Sequence, residues 1–287
     1  MNAIWMIAAS FLFACMGVCV KLGAQQFSPG ELVFYRGLIA AAIFGSYVGW
    51  RRLSLRTAAV AAHLRRGVAG VVALTAYFHA ISLIPLATAV TLSYTSPLFL
   101  ALLLVFWARE GQMPHLYSAL AAGFLGVVLL LQPTLDRHHW AGGMLGLAAG
   151  AMSSVAYFNV RRLGELGEPE WRTVFFFSLL SALGGLPWLL ASHSSAHADA
   201  RGWLLVLGVG GFGAAAQWCM TKAYAGGRTL ATASLAYSTV VFSSLFGLLV
   251  WRDTLSMTAW SGMALIVVAG IAATTLSTSR RNAVAEL

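Results

Sequence analysis

The sequence predicts an all-α membrane protein in which ten transmembrane helices form two inverted five-helix repeats. Three observations carry this prediction: an apolar composition, a series of apolar runs that are long enough to cross a bilayer, and a pattern that occurs twice in the chain. Hydrophobic residues make up 59% of the 287 residues and charged residues only 9%, whereas charged residues form about a quarter of a typical soluble domain. The composition therefore excludes a soluble globular protein.

The apolar runs have the length of transmembrane helices. A helix needs about 20 residues to cross a hydrocarbon core about 30 Å thick, and backbone polar groups in lipid must be satisfied within helices or a closed barrel. The runs are continuous and are not built from alternating segments of about ten residues, so helices are favoured over a barrel. We predict spans at about 3–22, 31–50, 67–84, 86–107, 115–132, 141–160, 171–191, 202–223, 229–251 and 257–276.

The stretch at 80–110 recurs at 223–253. At a constant shift of roughly 143 positions, Tyr94 aligns with Tyr237, and the matching continues into the next apolar run. We interpret this as a duplication, with a first repeat at 3–132 and a second at 141–276. Because each repeat holds an odd number of spans, the two copies enter the membrane in opposite orientations, as is common in secondary transporters.

Lysine and arginine set the orientation, since they concentrate in cytoplasmic loops. With a cytoplasmic N-terminus, Arg137, Arg201 and Arg252 lie outside, and Lys21 and Arg36 lie just within spans. The other thirteen lie on the inner side: Arg51, Arg52, Arg56, Arg65, Arg66, Arg109, Arg161, Arg162, Arg172, Lys222, Arg228, Arg280 and Arg281. The pattern predicts a multi-pass protein of the bacterial inner membrane with both termini in the cytoplasm. It also accounts for the net charge of +9 without nucleic-acid binding.

Polar and aromatic residues inside the spans are the candidate binding residues, because polar groups in lipid usually face a cavity or a partner. A hydroxyl can also bond to its own helix one turn back, so cavity lining and local bonding both stay open for the Ser residues. Pro97 removes a backbone hydrogen bond and is expected to bend the fourth span. The candidates are Tyr77 and His79, Ser93, Tyr94 and Ser96 with Pro97 as a hinge, Gln217 and Trp218, and Tyr237 and Ser238.

Two ionisable candidates have open alternatives. His79 could bind substrate, relay a proton or form a hydrogen bond to a neighbouring helix. Arg36 could capture a substrate carboxylate, anchor to lipid phosphate or pair with Glu31. The GxGxxG pattern at 208–213 is buried in an apolar run and is expected to be a close helix-packing face, not a dinucleotide site.

The chain resembles the EamA family of the drug/metabolite transporter superfamily, and within it exporters of the YddG type. The resemblance is carried by the ten-span plan, the duplicated halves and the Arg109-Glu110 and Arg252-Asp253 ends that precede glycine-bearing spans. It implies a central cavity between helices one to four and six to nine, with helices five and ten peripheral. One departure from the family pattern is the second acidic end, which is Asp253 and not a glutamate such as Glu110.

We expect a secondary transporter that exports amino acids or related small metabolites by alternating access, through a cavity with almost no fixed charge. No cofactor or metal is expected, and protons are the candidate coupling ion. A multidrug exporter of the same fold is the first alternative. A membrane-embedded enzyme is the second; Ser82 near His79 is its nearest candidate for a nucleophile and base, and no third group completes the set.

Overall fold

The computed structural model describes residues 2–96, 98–99, 114–131, 137–192, 198–225, 235–253 and 255–285. Every regular element in these ranges is helical, and the main helices number ten. They are α1 (Asn2–Gly23), α2 (Pro29–Trp50), α3 (Val60–Leu83), α4 (Leu86–Ser93), α5 (Pro114–Leu131), α6 (Arg137–Glu165), α7 (Glu170–Ala191), α8 (Ala200–Ala225), α9 (Ser238–Phe246, continued by a π-helical turn, Gly247–Trp251) and α10 (Met257–Ala285).

Six of these helices have the length and apolarity that a membrane crossing requires: α1, α2, α3, α6, α7 and α8. Shorter apolar helical stretches within α5, α9 and α10 cover 121–130, 238–251 and 257–269. The all-helical plan with two five-helix repeats is therefore confirmed as the architecture of a multi-pass membrane protein.

Local sequence explains where α2 and α3 begin. Ser28 and Glu31 form a capping box, in which the Glu31 amide donates to Ser28 Oγ at 3.2 Å and the Ser28 amide donates to Glu31 Oε2 at 2.7 Å. Pro29 occupies the first helical turn, where no amide is needed. Helix α3 starts at Val60, seven residues before the predicted span, so Arg66 belongs to a helix and not to a loop.

The packing of the helices repeats between the two halves of the chain. Each helix of the first repeat has its counterpart five helices later, so that α1 corresponds to α6 and α2 to α7. The α3–α6 pair corresponds to the α8–α1 pair, and the α4–α6 pair corresponds to the α9–α1 pair. The α2–α7, α5–α10 and α4–α9 pairs each correspond to themselves. This exchange is what two inverted copies related by a two-fold axis in the membrane plane require.

Glycines let the self-corresponding pairs approach closely. A Cβ at Gly37 would lie 2.3 Å from the Ala182 backbone nitrogen, and on the facing helix one at Gly185 would lie 2.5 Å from the Phe34 backbone nitrogen. The GxGxxG segment packs in the same way, since a Cβ at Gly210 would lie 2.5 Å from the Ile39 side chain. Its expected role as a packing face is confirmed.

Helices α4 and α9 are both interrupted at the tyrosine that the repeat aligns. Tyr94 and Thr95 form a turn after α4, and Tyr237 forms a turn before α9. At the first break Thr95 Oγ1 donates to the Leu92 carbonyl at 2.6 Å. Because the second copy lacks a proline here, the break does not require one. Pro97, the predicted hinge, lies outside the described residues.

A polar cluster joins the two repeats on the face of the bundle at which α1 begins, which we call the N-face. Glu168 is its centre: its carboxylate accepts hydrogen bonds from Thr57 and, at 2.8 Å, from Arg172 Nη1, and it lies 3.3 Å from His63 Nε2. Arg172 Nη2 also donates to the Ser54 carbonyl at 2.9 Å. Burial by itself raises the pKa of the Glu168 carboxyl, but the hydrogen bonds from Thr57, Arg172 and His63 outweigh burial and hold this pKa below its usual value.

Among the described residues, one ion pair joins the repeats on the opposite face, at which α1 ends. Lys21 Nζ lies 3.7 Å from Asp253 Oδ2, 3.4 Å from the Ile84 carbonyl oxygen and 4.9 Å from the centre of the Trp251 ring. Lys21 and Ile84 belong to the first repeat, and Trp251 and Asp253 belong to the second. Both faces of the bundle are thus held by contacts that cross between the repeats.

The close approach of α2 and α7 gives the first prediction. Gly37→Ala places a methyl group against the backbone of α7, so we expect overpacking to lower the free energy of unfolding by about 1–3 kcal/mol. Gly49→Ala on the same helix is the matched control, because nothing lies within 4 Å of its Cβ position. Thermal unfolding of the detergent-purified variants measures both. Equal melting temperatures for the two variants would contradict the packing argument.

The N-face cluster gives the second prediction. Because the folded-state pKa of Glu168 lies below its usual value near 4.5, its contribution to stability is present above that pH and is lost as the pH falls through the folded-state pKa. We expect Glu168→Gln to lower the melting temperature at pH 7, with the difference from the unmodified protein shrinking in acid.

The control for this prediction is Glu165→Gln. Glu165 pairs with Arg161 on the exposed surface, at 2.9 Å, and exposed pairs contribute little. A Glu168→Gln deficit that stays constant from pH 7 to well below pH 4.5, through the folded-state pKa, would show that the carboxylate charge is not what stabilises the cluster.

A candidate substrate cavity between the repeats

A cavity of about 80 Å³ lies between the two repeats. This volume is several times what one water molecule needs. Helices α1 to α3 and the break after α4 line it from the first repeat, and α6, α7 and α8 line it from the second. The lining residues are Phe13, Met16, Arg36, Arg66, Gly70, Ala73, Leu74, Tyr77, Ser93, Tyr94, Ser153, Ala156, Tyr157, Phe177 and Gln217.

Five of the predicted binding residues meet at this cavity. Tyr77 and Gln217 approach it from α3 and α8, Ser93 and Tyr94 come from the break after α4, and Arg36 comes from α2. The break exposes the end of α4 to the cavity, and this is where irregular backbone is tolerated at membrane depth. The fold therefore brings together residues that lie far apart in the sequence.

Three other predicted binding residues, Ser96, Tyr237 and Ser238, are not among the residues that line the cavity. The rings of Tyr94 and Tyr237 have centroids 6.3 Å apart, and Thr239 Oγ1 donates to the Tyr94 phenol oxygen at 2.8 Å. Ser238 Oγ donates to the Leu235 carbonyl at 2.6 Å, and Ser96 is buried. Tyr237 and Thr239 thus hold the Tyr94 side chain from the second repeat.

His79 and Trp218 lie away from the cavity. The His79 ring nitrogen Nδ1 lies 2.8 Å from the Thr75 carbonyl oxygen on its own helix, and its ring lies 6.4 Å from that of Trp188. Trp218 is 38% exposed and packs edge-on against Trp5 at 5.6 Å. Helix α3 turns His79 away from the side that carries Tyr77, because residues two apart lie on different sides of a helix.

Ser82 and His79 do not form the nucleophile–base pair that the enzyme alternative requires. Ser82 is exposed, and its hydroxyl donates to the backbone carbonyl of His79 at 2.8 Å instead of contacting the imidazole. In the part of the chain that the structure describes, no group of three or more His, Cys, Asp or Glu residues could hold a metal ion.

The expectation of an almost uncharged cavity is wrong, because two arginines line it. Arg36 and Arg66 are 2% and 3% exposed, and both guanidinium groups lie over the Phe177 ring, at 5.3 and 3.9 Å from its centre. Arg66 was predicted only as a residue of the cytoplasmic side, because hydropathy begins the third span at residue 67. The signal was nonetheless present: Arg66, Gly70, Ala73 and Tyr77 follow the spacing of one helix face.

Two glycines make room for the arginines. A Cβ at Gly70 would lie 2.2 Å from Arg66 Nη1, and a Cβ at Gly213 would lie 2.9 Å from Arg36 Nε. Any larger residue at either position would displace a guanidinium group. The site is thus shaped by small residues on α3 and α8 as well as by the side chains that face the cavity.

Comparisons with known proteins agree with this architecture. The chain is 29% identical over 266 residues to the pseudopaline exporter CntI of Pseudomonas aeruginosa strain UCBPP-PA14, covering 93% of each chain. It is 26% identical over 276 residues to the riboflavin transporter of Vibrio cholerae, covering 93% of this chain and 90% of the relative. A solved structure matches with a TM-score of 0.67 at 24% identity, covering 96% of this chain and 98% of the other, which shows the fold alone.

The model of the EamA-like transporter family matches residues 1–132 and again residues 140–276. The two matches together span nearly the whole chain. This protein therefore belongs to the EamA-like transporter family: it is a membrane transporter of small molecules and not an enzyme.

Proposed function

We propose that this transporter exports amino acids or related small metabolites across the bacterial inner membrane by alternating access. The observation that carries the proposal is the cavity of about 80 Å³ between the repeats, at the level where α4 is interrupted. Hydroxyl, amide and guanidinium groups line it beside apolar side chains. This combination suits a compact, polar solute.

The cross-repeat contacts on the two faces support alternating access. The Glu168 cluster holds the repeats together on the N-face, and the Lys21–Asp253 pair holds them together on the opposite face. We propose that the repeats at 3–132 and 141–276 rock against each other, so that one set of contacts separates while the other forms. Each set is small and polar, which fits an interface that opens repeatedly.

The proposed roles follow from position. Tyr77, Ser93, Tyr94 and Gln217 contact the substrate, and Arg36 binds its carboxylate. Tyr237 and Thr239, which contact Tyr94, keep that tyrosine in place during transport. The count of Lys and Arg residues supports a cytoplasmic position for the N-face and both termini.

The two relatives are named for different substrates, pseudopaline and riboflavin, so the support for the proposed substrate comes from the cavity. A larger solute would require the helices to separate. A cationic drug would meet two arginines, and no Asp or Glu among the described residues lines the cavity to balance its charge. A multidrug exporter is therefore the weaker proposal.

Replacement of Tyr94 gives the third prediction. Tyr94→Ala removes both the phenol group in the cavity and its hydrogen bond with Thr239, so we expect flux to fall about fivefold to tenfold, as the loss of one or two hydrogen bonds implies. Uptake of a radiolabelled amino-acid panel into proteoliposomes, with and without a pH gradient, measures flux and proton coupling together.

The control for Tyr94→Ala is Tyr47→Ala, because the Tyr47 side chain is 40% exposed on the surface of the bundle, away from the cavity. Unchanged flux in Tyr94→Ala would remove Tyr94 from the proposed site. A panel in which no amino acid moves, although the protein is folded, would overturn the proposed cargo.

The ion pair on the opposite face gives the fourth prediction. In a background in which Cys15, Cys19 and Cys219 are replaced by alanine, we introduce Lys21→Cys with Asp253→Cys and join them with a short, reducible thiol cross-linker. Alternating access requires these ends to separate, so we expect cross-linking to stop flux and reduction to restore it. The single-cysteine variants, treated identically, are the controls. Normal flux through fully cross-linked protein would contradict the rocking motion.

A further inference from the structure

Two buried positive charges share one cavity in this protein. The Arg36 guanidinium enters from α2 and the Arg66 guanidinium enters from α3, and both lie over the Phe177 ring. Like charges brought together in a low-dielectric interior repel strongly, so this arrangement costs free energy unless something else offsets it.

The described part of the chain supplies no anion to offset it. Nε and Nη1 of both arginines are buried and have no hydrogen-bond partner there. The ion pairs formed among the described residues are Lys21–Asp253, His63–Glu168, Arg161–Glu165 and Arg172–Glu168, and none includes Arg36 or Arg66. The alternative in which Arg36 pairs with Glu31 is therefore not formed. Phe177 offers a cation–π contact to each group, but an aromatic ring cannot satisfy N–H donors that point elsewhere.

The surroundings of the pair have the form of a binding site. Gly70 and Gly213 leave the space that the two guanidiniums occupy, so their burial follows from the local sequence. Six other residues with hydrogen-bonding side chains line the same cavity: Tyr77, Ser93, Tyr94, Ser153, Tyr157 and Gln217. Two buried guanidiniums that line a cavity, with no carboxylate partner among the described residues and with Nε and Nη1 left without hydrogen bonds there, indicate a missing ligand of opposite charge.

We propose that this cavity binds a small organic dianion, with its negative groups held by the Arg36 and Arg66 guanidiniums. The inference rests on the proposed transport function and names its substrate class. Two positive charges are balanced by two negative ones, and the guanidinium fork matches the oxygen geometry of carboxylate and phosphate. A dicarboxylate and a phosphate monoester present the same chemistry, and acidic amino acids and their derivatives fall within the class.

The cavity also limits the size of the dianion. About 80 Å³ admits a chain of a few carbon atoms between the anionic groups without separation of the helices. Tyr77, Ser93 and Gln217 can bond to hydroxyl or amino groups on that chain. Phe13, Met16 and Leu74 cover the remaining wall with apolar surface and exclude water from the charged groups.

Binding to the purified, full-length protein in nanodiscs tests the proposal without any need for transport. Isothermal titration calorimetry compares succinate and glycerol phosphate, which are dianions at pH 7.5, with uncharged succinamide. We expect at least one dianion to bind and succinamide not to bind. We expect Arg36→Gln and Arg66→Gln each to weaken dianion binding at least tenfold.

Arg65→Gln is the matched control, because Arg65 neighbours Arg66 on α3 but is exposed and donates to the Ala61 carbonyl at 3.2 Å. It should leave dianion affinity unchanged. The melting temperature of the ligand-free protein gives a second readout. Removal of a buried, unbalanced charge should leave this temperature equal or raise it in Arg66→Gln, whereas a purely structural arginine would make it fall.

The outcomes separate the sources of the anion. Binding of succinate alone or of glycerol phosphate alone identifies the carboxylate or the phosphate form of the substrate. Equal dianion affinity in the unmodified protein and both arginine variants would overturn the proposal. So would dianion binding that disappears when anionic lipid is added to neutral nanodiscs, because a lipid headgroup would then be the occupant.

The experiment also keeps this inference apart from the proposed function. Arginine-dependent dianion binding in a protein that moves no solute in proteoliposomes supports the site and overturns transport of that cargo. Flux of neutral amino acids that is unaffected by Arg36→Gln and Arg66→Gln, with no dianion binding, supports amino-acid transport and overturns the dianion site.

Discussion

The hydrocarbon core of a bilayer offers no hydrogen-bond partners, and this constraint decides where the polar groups of the chain lie. Many hydroxyls in the described helices bond to carbonyls of their own helix, as Ser178 does with Val174 and Ser181 with Phe177, each at 2.8 Å. Groups that cannot be satisfied in this way are gathered between the repeats or at the two faces. The cavity is the place where backbone breaks, phenols and guanidiniums are all tolerated, because protein and not lipid surrounds them.

The duplication supplies the scaffold, and departures from it supply the chemistry. Helix pairs exchange under the two-fold relation, glycines support the α2–α7 contact from both sides, and both copies break at the aligned tyrosine. The two arginines do not follow this symmetry. Alignment of Pro29 with Pro169 places Phe176 opposite Arg36, and a shift of 143 positions places Val209 opposite Arg66. A symmetric frame thus encloses an asymmetric cavity, in which the charged residues among the described lining, Arg36 and Arg66, both come from the first repeat.

The contacts between the repeats differ between the faces. On the N-face a buried carboxylate is shared by a hydroxyl, an imidazole and a guanidinium. On the opposite face the described contacts are the partly exposed Lys21–Asp253 pair at 3.7 Å and a hydrogen bond from the Asp199 amide to Gln26 Oε1 at 3.1 Å. Partly exposed ion pairs contribute less to stability than buried, hydrogen-bonded carboxylates. This difference provides a physical reason for the two faces to separate with different ease during a transport cycle.

The sequence by itself determined the number and type of elements and the inverted repeat. It also identified Tyr77, Ser93, Tyr94, Gln217 and Arg36 as polar residues that must find a place inside the protein. These properties follow from hydropathy and from a constant shift, and both can be read along the chain. The tertiary structure alone decided which polar residues meet. Helix α3 begins as early as Val60. Its helical periodicity directs Arg66 and Tyr77 into the cavity and His79 toward Trp188. Hydropathy ends a span where charges begin, but backbone hydrogen bonding continues through them, so the position of Arg66 depends on the packing of α3 against α7 and could not be read from its neighbours in the sequence.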